Sequence, residues 1–174
     1  MTASKNESIT FRFDSKLLME LSSEAKRKMV SLNTLMQQIS SAHIEWHSRA
    51  AEAGFITVRR TLVKNMIDKL SEKEIDHLVE SVYQDIEDAS LLIVRGTSVE
   101  QIFEFLERWI RATGFRFRHD VEGTSHTIII QHEMGLNWSL YLSKLFQKVA
   151  MMIQEKSAVK TSENTVVIKV ELKP

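Results

Sequence analysis

The chain has 174 residues, a formal net charge of zero, 43% hydrophobic residues and no cysteine. That length suits one or two domains with a real core, and the missing cysteines exclude disulfides and thiolate chemistry. No apolar run approaches the length of a membrane span, and Met1–Glu7 lacks the apolar stretch of a signal peptide, so a cytoplasmic location without a membrane partner is expected.

In chain order, Ile9, Phe11 and Phe13 alternate with Ser8, Thr10 and Arg12, which predicts a strand with one apolar and one polar face. Asp14 can cap a helix bearing Leu17, Leu18, Leu21 and Ala25, and Ser31 can cap a second bearing Leu35, Met36, Ile39, Ala42 and Trp46. The second helix is expected to run through His47 and Ala51 and to end at Gly54. A lone strand is not stable, so this one must pair, most simply with the same strand of a second copy. Beyond Gly54, Val58, Leu62, Val63, Met66 and Ile67 trace a helical stripe. Ser71-Glu72-Lys73-Glu74 forms a capping box before Ile75, Leu78, Val79, Val82 and Ile86.

From about residue 89 the pattern changes. Leu91–Val94 reads as a buried strand ending at Gly96, and Thr97 or Ser98 caps a helix from Val99 to Gly114. Phe115–His119 and Thr127–Ile130 read as strands joined around Gly123, followed by a helix from Trp138 to Ile153 and a strand from Thr165 to Leu172. This β-α-β-β-α-β order predicts a ferredoxin-like fold with two helices on one sheet face. Ile128, Ile129 and Ile130 are consecutive, so the other face is expected to need cover from a second copy or an apolar ligand. The overall class is α+β, with residues 1–54 as one domain, 55–88 as a helical connector and 89–174 as an oligomerisation or sensor domain.

The strand Ser8–Phe13, the Leu17/Leu18/Leu21/Ala25 helix and the Ser31-Leu32-Asn33-Thr34-Leu35 helix start together resemble the ribbon-helix-helix family of DNA-binding proteins, the Arc/MetJ-like repressors. The resemblance covers residues 8–47. It implies a dimer whose strands pair antiparallel and enter the major groove of double-stranded DNA. Ser8, Thr10 and Arg12 match the base-reading positions, and Ser31, Leu32 and Asn33 match a phosphate contact at a helix start. Met29 departs from the family, which usually has glycine in the break between the helices. The overall plan resembles nickel-responsive repressors in architecture only, because no metal motif of that family can be matched.

The charge distribution is compatible with a nucleic-acid partner. Residues 1–60 carry nine Lys/Arg against six Asp/Glu, residues 61–87 three against seven, and residues 88–174 eleven against ten. A dimer doubles the N-terminal excess.

The chain has six histidines that could serve as metal ligands. His43 and His47 lie four apart but lack a third ligand, and His119 and His126 can face each other across a hairpin. His132 lies about 20 Å further along the strand, so no closed site, metal or cofactor is expected. His132-Glu133-Met134-Gly135-Leu136-Asn137-Trp138-Ser139 is a strand-to-helix junction with Asn137 available as a cap. Ordinary capping, with Trp138 in the core, is the favoured reading there. Arg116, Arg118, His132 and Trp138 are nonetheless the candidates for a small-molecule effector. No nucleophile elbow, phosphate-binding glycine loop or H-E-x-x-H occurs, so an enzyme is not expected.

The reading is a homodimeric or higher homo-oligomeric transcription regulator. Two other classes stay open: an antitoxin-like protein-binding module, in which the N-terminal fold mainly dimerises, and a small-molecule-binding protein.

Overall fold

A computed structural model describes residues 7–152 and 156–172. The architecture is mixed α+β, and the chain divides into two compact units, Met1–Ile44 and Glu45–Pro174.

In the first unit, residues 7–14 belong to no helix or strand. The predicted strand at 8–13 is therefore not formed in the single chain, because the backbone groups of an isolated strand have no partner ladder. Ile9, Phe11 and Phe13 are 75%, 58% and 36% exposed. Helix α1 (Ser15–Arg27) starts where the Asp14 carboxylate accepts from the Leu17 N–H at 2.9 Å. It closes in a Schellman turn: Met29 N–H donates to Lys26 O at 3.1 Å and Val30 N–H to Ala25 O at 3.0 Å. The residue in the left-handed position of that turn is Met29, at φ +54°. Helix α2 (Leu32–Ala42) is capped by Ser31, whose hydroxyl accepts from the Thr34 N–H at 3.0 Å. The two helices bury Ala25 and Leu35, while Leu17, Leu18, Met19 and Ile39 stay exposed.

A π-helical turn, His43–His47, runs from the end of the first unit into the second and is followed by the short α3 (Ser48–Ala50). Gly54, at φ +79°, ends this segment in a second Schellman turn, with Phe55 N–H donating to Ala50 O at 2.8 Å and Gly54 N–H to Ala51 O at 3.1 Å. Next come α4 (Arg60–Ile67), α5 (Glu72–Gln84), α6 (Ile86–Val94) and α7 (Val99–Thr113). The Ser71/Glu74 capping box opens α5, and an equivalent Ser98/Gln101 box opens α7. Residues 55–88 supply Ile67, Ile75, Val79 and Ile86 to the same core as the sheet.

The sheet comprises β1 (Arg116–Glu122), β2 (Ser125–Gln131), β3 (Lys156–Thr161) and β4 (Thr165–Glu171), in the order β1-β2-β4-β3 and antiparallel throughout. Helix α8 (Leu136–Met152) connects its two hairpins. Ile128, Ile130, Val166, Ile168 and Val170 form the inner face and pack with Ile102, Phe103 and Leu106 of α7 and Leu142, Phe146 and Val149 of α8.

Three expectations are corrected. Leu91–Val94 is the end of α6, not a strand. A four-residue apolar run does not separate helix from strand, and the helical spacing of Ile86, Ala89, Ser90 and Ile93 buries one face while Leu91 and Leu92 stay exposed. The order after α6 is thus α-β-β-α-β-β, with two hairpins and no parallel pair, instead of β-α-β-β-α-β. The added strand is β3, an edge strand with lysines at 156 and 160 and only Val159 packed against the core; such polar strands protect sheet edges but leave little apolar alternation to read. The third correction concerns the outer sheet face. There Ile129 and Val167 sit half-buried between Arg118 and Lys160 in the register, and the surrounding positions are mostly polar, so no covering layer is required. Ile153, expected at the end of the α8 helix, lies outside the described residues.

Candidate functional site

The N-terminal candidates are all accessible or partly so. Ser8, Thr10 and Arg12 are exposed, as are Ser31 and Asn33, with Leu32 half-buried. At the start of α2 the Ser31 hydroxyl engages both the Thr34 N–H and the Thr34 hydroxyl, the latter at 2.8 Å. Among the described residues the Leu32 and Asn33 N–H groups have no acceptor, as expected for the first turn of a helix, and together with the dipole they form an anion-attracting end. Residues 1–44 carry six Lys/Arg against four Asp/Glu.

The four effector candidates do not form one site. Arg116 and Arg118 lie on the outer sheet face, where Arg118 pairs with Asp120 at 2.7 Å. His132 is fully buried beyond the end of β2. Its Nδ1 accepts the Met134 N–H at 3.0 Å, so Nε2 carries the proton and donates to the Ser139 hydroxyl at 2.9 Å. Ser139 in turn donates to Ser162 O at 2.7 Å. Burial pushes the His132 pKa down to about 4, which keeps the ring neutral at physiological pH. Asn137 does not cap α8; its amide donates to Ile67 O and Leu70 O, both at 3.0 Å, and so ties off the end of α4. At this junction the side chains of His132, Asn137 and Ser139 thus form a structural lock, and the buried histidine has no free valence for a ligand.

His119 and His126 do meet across the β1–β2 hairpin, with Nε2 and Nδ1 3.0 Å apart. Sequence reasoning did not anticipate the third member, Glu107 on α7, whose Oε1 lies 2.5 Å from His119 Nδ1. Burial works to raise the Glu107 pKa, but hydrogen bonds from His119 and Arg111 outweigh it and hold the carboxyl below its ordinary range. His126 is pushed down by burial and by His119 beside it. Phe103 stacks on both rings, with centroid distances of 4.7 Å to His126 and 5.8 Å to His119. This row can hold and pass a proton along one line. His43, His47 and His77 are exposed and separate from it. No group of three or more His, Cys, Asp or Glu among the described residues is placed to hold a metal ion.

Trp138 is elsewhere again. It lines a cleft of about 380 Å³ together with Trp46, Phe55, Arg60, Trp109 and Phe115. Its Nε1 is buried without a hydrogen-bond partner, a state that costs about 1–3 kcal/mol. These residues come from α4, α7, α8 and the segments around them, so no local spacing in the sequence joins them.

No family model matches the chain, and neither does any curated protein. No helix among the described residues is long and apolar enough to cross a membrane.

Proposed function

We propose that the chain is a sequence-specific DNA-binding transcriptional regulator of the ribbon-helix-helix kind, without catalytic activity. It acts as a homodimer in which residues 8–13 of two copies pair antiparallel and enter the major groove. The observation that carries this reading is the open apolar face of the first unit: Ile9 is 75% exposed, Phe11 58%, and Leu17 and Leu18 40% each. So much apolar surface on so small a unit calls for a covering surface. A second copy supplies one, and pairing buries Ile9, Phe11 and Phe13 while turning Ser8, Thr10 and Arg12 outward. The two well-capped helices with a short break, and the uncommitted N–H groups at Leu32 and Asn33, add support.

Selection of duplexes from a random pool with the full chain tests the proposal. A palindromic or directly repeated site should be enriched, with affinity that falls steeply with salt. Failure to enrich any sequence, with a dimer still present in sedimentation, would favour the protein-binding reading, in which the same apolar face serves association alone.

A further inference from the structure

We infer that the aromatic cleft of the second unit binds a small organic acid with an apolar body, such as an arylcarboxylate. The inference goes beyond the DNA-binding reading and does not depend on it.

The cleft's volume of about 380 Å³ is that of a small-ligand site, and its walls are mainly apolar, with Trp46, Phe55, Trp109, Phe115 and Trp138 among them. Trp46 and Phe55 stand at one side, with ring centroids 4.8 Å apart. Phe115 stands at another, with the Arg60 guanidinium 5.1 Å from its ring centroid. Rings placed this way stack favourably on a flat apolar body.

The polar side chains of the cleft include Arg60, His47, Thr57 and Thr113, of which Arg60 carries the fixed charge. Arg60 has no carboxylate partner among the described residues, and no Asp or Glu lines the cleft. Arg60 is also the first residue of α4, whose N-terminus has no side-chain cap, so the helix dipole adds positive potential at the same place. An apolar guest would leave Arg60 without an anionic partner, and a cation would be repelled by it. A carboxylate supplies the acceptor oxygens for Arg60, since an arginine binds it through two parallel hydrogen bonds. Its apolar body then displaces water from the rings.

The test uses the full chain, 2-naphthoate and phenylacetate as probes, and the matching neutral amides as controls. Titration calorimetry and tryptophan fluorescence should show saturable binding of at least one acid, in preference to its amide. Arg60→Met should weaken the acid about tenfold or more and bring acid and amide to similar affinity, as expected for loss of a charge-assisted pair. Trp138→Phe shrinks one aromatic wall without touching the charge, and should weaken acid and amide alike. Circular dichroism establishes that each variant is folded. No saturable binding of either acid by wild-type protein up to millimolar concentration would overturn the inference. So would equal binding of acid and amide by wild-type protein, or an Arg60→Met variant that is folded and unaffected. None of these outcomes bears on DNA binding, which is read separately in the duplex selection.

Discussion

Met29 occupies a left-handed backbone position that an L side chain enters only at a cost, and replacing it by glycine should stabilise the first unit. The φ of Met29 is +54°, its side chain is 91% exposed, and the hydrogen bonds of the turn use only the backbone N–H groups of Met29 and Val30. Met29→Gly therefore removes almost no packing and keeps the turn. A left-handed L residue costs about 1–2 kcal/mol, and glycine's greater freedom in the unfolded chain returns roughly half of that. The net expectation is a gain of about 0.5–1 kcal/mol. Met29→Ala should change stability by only about 0.3 kcal/mol, because the penalty comes from the Cβ that both residues share. Gly54→Ala is the mirror experiment: φ is +79°, nothing lies within 4 Å of the added Cβ, and a loss of about 1 kcal/mol is expected from conformation alone. All three tryptophans lie beyond Ile44, at 46, 109 and 138, so fluorescence reports the second unit. Native-state hydrogen exchange of the α1 and α2 amides, at one fixed protein concentration, reports the first. If Met29→Gly lowers protection there, or Met29→Ala changes it as much as glycine does, the side chain has a contact that a single copy does not contain, and the strain argument fails.

Four further outcomes are expected. Phe11→Asp places a charge in the proposed ribbon core and should abolish the dimer, seen as a monomer in sedimentation of the full chain; a dimer unchanged in affinity would refute the pairing. Arg12→Ala should cost roughly 1–3 kcal/mol per half-site and relax preference at particular bases, while Ser31→Ala weakens binding to all duplexes alike; comparing specific and random duplexes at two salt concentrations separates the two effects. His132 ordinarily titrates near 6.5 and is pushed down to about 4, so the unfolded chain takes up its proton first as pH falls. The stability from this burial is complete above about pH 6.5 and lost towards pH 4, on the order of 3 kcal/mol, with His126 acting in the same direction. Urea unfolding across this range should show that slope, and His132→Gln should flatten it while lowering stability at pH 7; an unchanged slope would place the proton uptake on other groups.

What could be read along the chain was whatever is decided within about four residues. Asp14, Ser31 and Ser71 with Glu74 cap their helices as their spacing predicts, and of Thr97 and Ser98 it is Ser98 that caps α7, since a cap is a contact between a side chain and the N–H two or three residues on. The same holds for the α+β class and for the β1–β2 hairpin turning at Gly123. Where the deciding contact lies far along the chain, local pattern was silent or misleading. Leu91–Val94 is helical because Ile86, Ala89 and Ile93 find a core built by α7 and α8, and four apolar letters do not record which partner they meet. Lys156–Thr161 is a strand because β4 offers it a ladder, not because its side chains alternate. Likewise, Arg116, Arg118, His132 and Trp138 carry the right chemistry for a ligand, yet only packing reveals that the first two lie on the outer sheet face, the third is locked in a buried network and the fourth faces a cleft. Glu107 joins His119 and His126 from another element, and Arg60 and Trp138, with 77 residues between them, line one cleft. Residue types and local geometry are written in order along the chain. Which of them share a cavity is decided by burial of apolar area, a property of the whole fold that no short window contains.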